Sequence, residues 1–91
     1  MITLIDITEV RPQGGYQLFL RFSDGSAGTH DFASLLDCPG PMAAPLKDPT
    51  FFARAFVDLG ALAWPNGFDL DPIQLHREMA AAGELTRPAA E

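Results

Sequence analysis

Basic side chains are scarce in this sequence. Six of its 91 residues are Lys or Arg against twelve Asp or Glu, a formal net charge of -6. Arg11, Arg21, Lys47, Arg54, Arg77 and Arg87 are scattered, with no run and no neighbouring pair. Duplex DNA is held by clustered cations that displace counterions from phosphate, so binding of duplex DNA by this chain alone is not expected. Cysteine is nearly absent. Cys38 is the single one, which rules out an intrachain disulfide and a thiolate zinc cluster. A nucleophilic thiol needs a histidine beside it. Spacing places neither His30 nor His76 next to Cys38, and an inert, half-buried thiol is expected. Long apolar runs are missing too. None approaches the roughly 18–20 residues of a membrane helix, and no basic segment leads into an apolar stretch at the start as in a secretory signal. A cytoplasmic location without membrane contact is the expectation.

What is present points to one small globular domain: 47% hydrophobic and 20% charged residues, with no room for a second core. Residues 1–84 are expected to form it, with a frayed tail over 85–91. An acidic surface favours solubility or a basic partner.

Ile2 to Val10 reads as a strand covered on both faces, ended by a turn at Pro12-Gln13-Gly14-Gly15. Tyr16 to Phe22 is the clearest strand, with Tyr16, Leu18, Leu20 and Phe22 on one face and Gln17 and Arg21 on the other. Ser23-Asp24-Gly25-Ser26 turns the chain, and Asp-Gly suits a tight hairpin in which both residues tolerate positive φ. Ala27 to Phe32 returns, completing an antiparallel meander. Ser34-Leu35-Leu36 forms one helical turn. Four prolines between Pro39 and Pro49 predict a loop that covers an apolar face. Asp48-Pro49 starts a short helix with Phe51, Phe52, Ala55 and Phe56 on its apolar stripe. Phe56 to Trp64 reads as a second hairpin around Leu59-Gly60. After Pro65-Asn66-Gly67, Asp71-Pro72 opens the last helix, with Gln74 at the capping-box spacing and Leu70 and Leu75 at the staple positions. Leu75, Met79 and Ala82 share its apolar face, and Gly83 ends it. The fold class is therefore α+β: an antiparallel sheet of about five short strands, a short inserted helix and a C-terminal helix.

Motifs for known chemistries fail. No Walker loop, nucleophile elbow or His-Glu-x-x-His occurs. Asp69-Leu70-Asp71 begins like a calcium loop, but Gln74 and Ala80 stand where Gly and Glu are required. His30 and Asp31 point to opposite faces of a strand, which prevents a dyad between them. No bound metal or organic cofactor is expected. Two segments stand out: the turn with Asp24 at its tip, and Trp64-Pro65-Asn66-Gly67-Phe68-Asp69-Leu70. In the second, Trp64 offers a large apolar body and one donor, Asn66-Gly67 permits a special turn, and Asp69 is placed to accept backbone amides at the helix entrance. Asp24, Trp64, Asn66 and Asp69 are the candidate positions, as a structural corner or as a recognition site.

Phe22-Ser23-Asp24-Gly25-Ser26, Asp48-Pro49-x-Phe51 and Trp64 to Leu70, in this order and spacing, resemble a small family of uncharacterised bacterial and archaeal proteins, the domain-of-unknown-function family numbered 2442. The likeness covers roughly residues 3 to 76. It implies a compact α+β fold and brings no catalytic residues. Some members of that family continue into a helix-turn-helix, and others sit beside a small partner in toxin–antitoxin-like arrangements. No room for a helix-turn-helix remains after Gly83, so direct DNA reading is not implied here.

Two functions compete. One is a non-enzymatic protein-interaction module, the acidic half of a regulatory or antitoxin-like pair with a small basic protein; homo-oligomerisation stays open. The other is a small-ligand-binding or accessory enzyme domain, with a pocket by the Trp64–Asp69 corner near Asp24, His30 and Asp69.

Overall fold

The computed structural model describes residues 5–37, 40–41 and 43–86. Strands Ile7–Gly14 (β1), Gln17–Phe22 (β2) and Ala27–Asp31 (β3) form one antiparallel sheet in that order. Strands Phe56–Asp58 (β4), Ala61–Ala63 (β5) and Asp69–Leu70 (β6) form a second. Between them lie 3-10 turns at Ala33–Asp37 and Ala44–Lys47 and a one-turn helix, Pro49–Phe52 (α1). Helix Pro72–Ala81 (α2) follows β6. The α+β class holds, but the single sheet of about five strands is replaced by two sheets of three. The two are adjacent: the Ile7 amide donates to the Gly60 carbonyl at 2.8 Å.

The first strand differs most from its sequence pattern. β1 spans Ile7 through Pro12 to Gly14, with register shifts between Ile7 and Glu9 and between Pro12 and Gly14; Ile2 to Leu4 of the expected strand lie outside the described residues. These bulges break the period of two on which a two-faced strand was expected. Proline is tolerated because β1 is an edge strand of its sheet. The chain reverses at Gly15-Tyr16, because Gly14 already pairs with Gln17. β2 follows its pattern, with Leu18, Leu20 and Phe22 buried and Gln17 and Arg21 exposed.

The proline-rich stretch is more than a cover. Ala43 and Leu46 are buried, and Leu46 belongs to the core. Cys38 lies outside the described residues. Asp48 caps α1, its carboxylate accepting the Thr50 amide at 3.0 Å. The helix ends at Phe52, so Phe56 leaves the expected stripe, joins β4 and is exposed. Asp71 caps α2 by accepting the Ile73 amide at 3.0 Å. Gln74 turns its amide to Glu78 at 2.9 Å rather than back to the cap. Leu75 and Met79 are buried, whereas Ala82 is exposed just past the helix end, before Gly83 at φ +74°.

Two residues of the expected tail, Leu85 and Thr86, are described. Leu85 packs against the core, and Thr86 pairs with Ala27 on β3, each amide donating to the other's carbonyl at 2.8 Å. The rest of the expected tail lies outside the described residues. Phe22, Phe52, Trp64, Leu18, Leu20, Leu62 and Met79 are each almost fully buried, so both sheets and α2 share one apolar cluster.

Candidate functional site

The two segments that stand out in the sequence are the same device built twice. In the β2–β3 connection, the Gly25 amide donates to the Phe22 carbonyl at 3.0 Å, and the Phe22 amide donates to the Ser26 carbonyl at 2.8 Å. In the β5–β6 connection, the Gly67 amide donates to the Trp64 carbonyl at 2.9 Å, and the Trp64 amide to the Phe68 carbonyl at 2.9 Å. Each is a three-residue loop closed by a glycine bulge. The glycines sit at φ +89° and +93°, where a Cβ is strained. Each loop starts on a buried aromatic, Phe22 or Trp64. In each, the residue before glycine accepts the amide two positions on: Asp24 from Ser26 at 2.9 Å, Asn66 from Phe68 at 3.2 Å. Asp24 and Asn66 therefore shape loops, as Asx residues do.

Asp24 has further partners. Its Oδ1 also accepts the buried Ser26 hydroxyl at 2.6 Å, and its Oδ2 lies 3.0 Å from His76 Nε2 on α2. Burial pushes the carboxyl pKa up. The Ser26 hydroxyl and amide and the His76 ring outweigh that and hold it at about 2, below the usual 3.8. The His76 ring stands edge-on to Phe22 at 4.9 Å. A second pair ties the same parts: His30 Nδ1 on β3 meets Glu84 Oε1 at 2.6 Å. Both histidines are thus engaged between the first sheet and the segment running from α2 to Thr86.

Trp64 is buried, and its indole N–H donates to the Phe52 carbonyl at 2.9 Å. It lies 5.6 Å from the Phe52 ring and 5.7 Å from Phe68. This residue joins α1 to the second sheet.

One cleft of about 260 Å³ opens between the β3 end of the first sheet and the start of α2. Phe32, Leu35, Leu70 and Leu75 supply its apolar walls. His30, Ser34, Asp71, Gln74 and Glu78 supply the polar ones. Sites for drug-sized ligands usually measure about 300–1,000 Å³, and this cleft lies just below that range. Among the described residues no group of three or more His, Cys, Asp or Glu is arranged to hold a metal, and no helix is long and apolar enough to cross a membrane.

The family described as "Protein of unknown function (DUF2442)" matches residues 7–80. The chain belongs to the DUF2442 family. No curated protein and no solved structure matches it. The span matched by DUF2442 contains all six strands and both glycine-bulge loops.

Within this DUF2442 chain the four expected positions fall in the two loops and at the start of β6. Trp64 and Asn66 share one loop and Asp24 sits in the other. Asp69 is exposed on β6, paired through its backbone with Ala63, and Asp71 fills the capping place expected of it. Asn66 does not adopt positive φ; Gly67 does. The alternative reading places a pocket around Asp24, His30 and Asp69. His30 lines the cleft, but Asp24 and Asp69 do not. Glu84, Glu78 and Leu35 were missed. His30 and Glu84 stand 54 positions apart, and no local pattern connects residues brought together only by the closing of α2 onto β3.

Proposed function

We propose that this DUF2442 chain is a non-enzymatic protein-interaction module, the acidic member of a regulatory or antitoxin-like pair. The observation that carries the reading is the cleft between β3 and α2: apolar walls, an acidic rim, and a volume suited to side chains of another protein. The net charge of -6 favours a basic partner. The polar residues Asp24 and Asn66 of the two loops are engaged in holding the fold. The alternative, a small-ligand or accessory enzyme domain, draws support from His30 at the cleft wall with Glu84 orienting its ring; the small volume weighs against it.

Affinity purification of the tagged chain from its native host, followed by mass spectrometry, tests the module reading. The expected result is a basic protein recovered in stoichiometric amount from the wild type and lost on Leu35→Glu. Recovery of the chain alone, with a soluble metabolite retained instead, overturns it in favour of the alternative.

A further inference from the structure

We propose that the β3–α2 cleft recognises one lysine or arginine side chain flanked by an apolar residue, presented by a segment of a partner protein. This rests on the interaction-module reading and names the chemistry that the cleft selects. The apolar walls, Phe32, Leu35, Leu70 and Leu75, suit the methylene stem of a long basic side chain as well as a neighbouring aliphatic group. Carboxylates stand at the rim. Glu78 Oε2 accepts from the Gln74 side-chain amide, and Asp71 Oδ1 accepts from the Ile73 backbone amide. Glu78 Oε1 and Asp71 Oδ2 are not used by those bonds and point to a role as acceptors for a guanidinium or ammonium. Among the described residues no lysine or arginine lines the cleft.

His30 is the one wall residue able to carry positive charge, and Glu84 at 2.6 Å offsets it. Asp71 and Glu78 are the two carboxylates that line the cleft, and Glu84 contacts the His30 ring. An acidic or neutral apolar segment gains nothing from these carboxylates. A basic one gains ion pairs at a rim half-shielded by apolar walls, where screening is weaker than on an open surface. Affinity for so small a site is expected in the millimolar range for an isolated peptide and tighter only within a larger interface.

The test is a titration of the isotope-labelled full chain, read by amide chemical shifts, with the capped peptide Ala-Leu-Arg-Leu-Ala. Saturable shifts are expected at Leu35, Leu70, Gln74 and Glu78. Replacing the peptide arginine by glutamine should weaken binding about tenfold, and so should Glu78→Gln at this exposed position of the chain. Added salt should weaken it further. Absence of shifts at these amides, or equal affinity for the glutamine peptide, overturns the proposal. Equal or tighter binding of free putrescine at the same amides overturns the commitment to a protein segment. The two readings fail separately. A native partner that shifts other amides sinks the cleft assignment and spares the module. Peptide binding without any native partner does the reverse.

Discussion

Among the described residues, Leu59 is the one non-glycine at positive φ. It stands 99% exposed, with φ +52°, at the tip of the β4–β5 hairpin. Its neighbour Gly60 is at φ +84°, so both central residues of this two-residue loop are left-handed, as in a type I′ turn. A left-handed conformation costs a residue bearing Cβ roughly 1–2 kcal/mol, and asparagine followed by glycine is the pair this turn prefers. Leu59→Asn should therefore stabilise the domain by about 1 kcal/mol, raising the melting temperature by roughly 4–8 °C at this chain length. An unchanged or lower melting temperature counts against the strain argument. At the Trp64 corner the residues separate. Trp64→Ala removes a buried ring and its bond to the Phe52 carbonyl and should cost about 3–5 kcal/mol, much of what a small domain possesses. Asp69→Asn, on an exposed side chain, should stay within about 0.5 kcal/mol. Urea denaturation followed by circular dichroism measures both. A large loss at Asp69 would show that its carboxylate has a structural role after all.

At the scale of elements, the junction between α2 and the first sheet decides the outcome. Gly28 marks how closely the segment after α2 approaches β3: a Cβ there would lie 1.9 Å from the Glu84 carbonyl oxygen. Gly28→Ala should push Glu84 and Thr86 off β3 and speed exchange of the Thr86 and Ala27 amides, which are bonded across that junction. Exchange rates equal to wild type would show that the contact relaxes freely. The Asp24–His76 pair sits in the same junction. Because the Asp24 pKa falls from 3.8 to about 2 on folding, the stability it contributes is complete above the unfolded value and is lost as pH drops through the folded one. The difference corresponds to about 2 kcal/mol. Stability should fall between roughly pH 4 and pH 2, and Asp24→Asn should flatten that part of the profile; a variant with the wild-type slope would assign the acid loss to other carboxylates. This junction was the least legible part of the sequence. Caps at Asp48 and Asp71, the β2 alternation and the glycine turns are local, and they were readable from residues a few positions apart. Pairing of Asp24 with His76, of His30 with Glu84, and of Thr86 with Ala27 depends on where α2 docks. The bulges of β1 were hidden for a related reason, since an inserted residue breaks the periodicity on which a strand is recognised.

For the molecule as a whole, the question is whether two small sheets behave as one unit. Neither has enough surface to bury alone, since chains below about 40 residues rarely fold without disulfides, metals or partners. They share Ile7, Leu20 and Phe22 from the first sheet, Leu62 and Trp64 at the second, and Leu75 and Met79 from α2 in one cluster. The Ile7–Gly60 hydrogen bond joins the sheets directly. The sequence segregates these contributions into distant segments, so the core is assembled by long-range contacts and should be lost all at once. Trp64 is the single tryptophan and reports the second sheet, whereas amide exchange or shifts of Leu18 and Leu20 report the first. Urea transitions read by Trp64 fluorescence, by far-ultraviolet circular dichroism and by those amides should coincide in midpoint and slope. If the fluorescence transition precedes the loss of β2 amide protection, the second sheet unfolds as a separate unit and the shared core is not cooperative. Coincident curves would instead mean that a partner seated between β3 and α2 stabilises both sheets together, since a ligand that binds only the folded state raises the free energy of the whole cooperative unit.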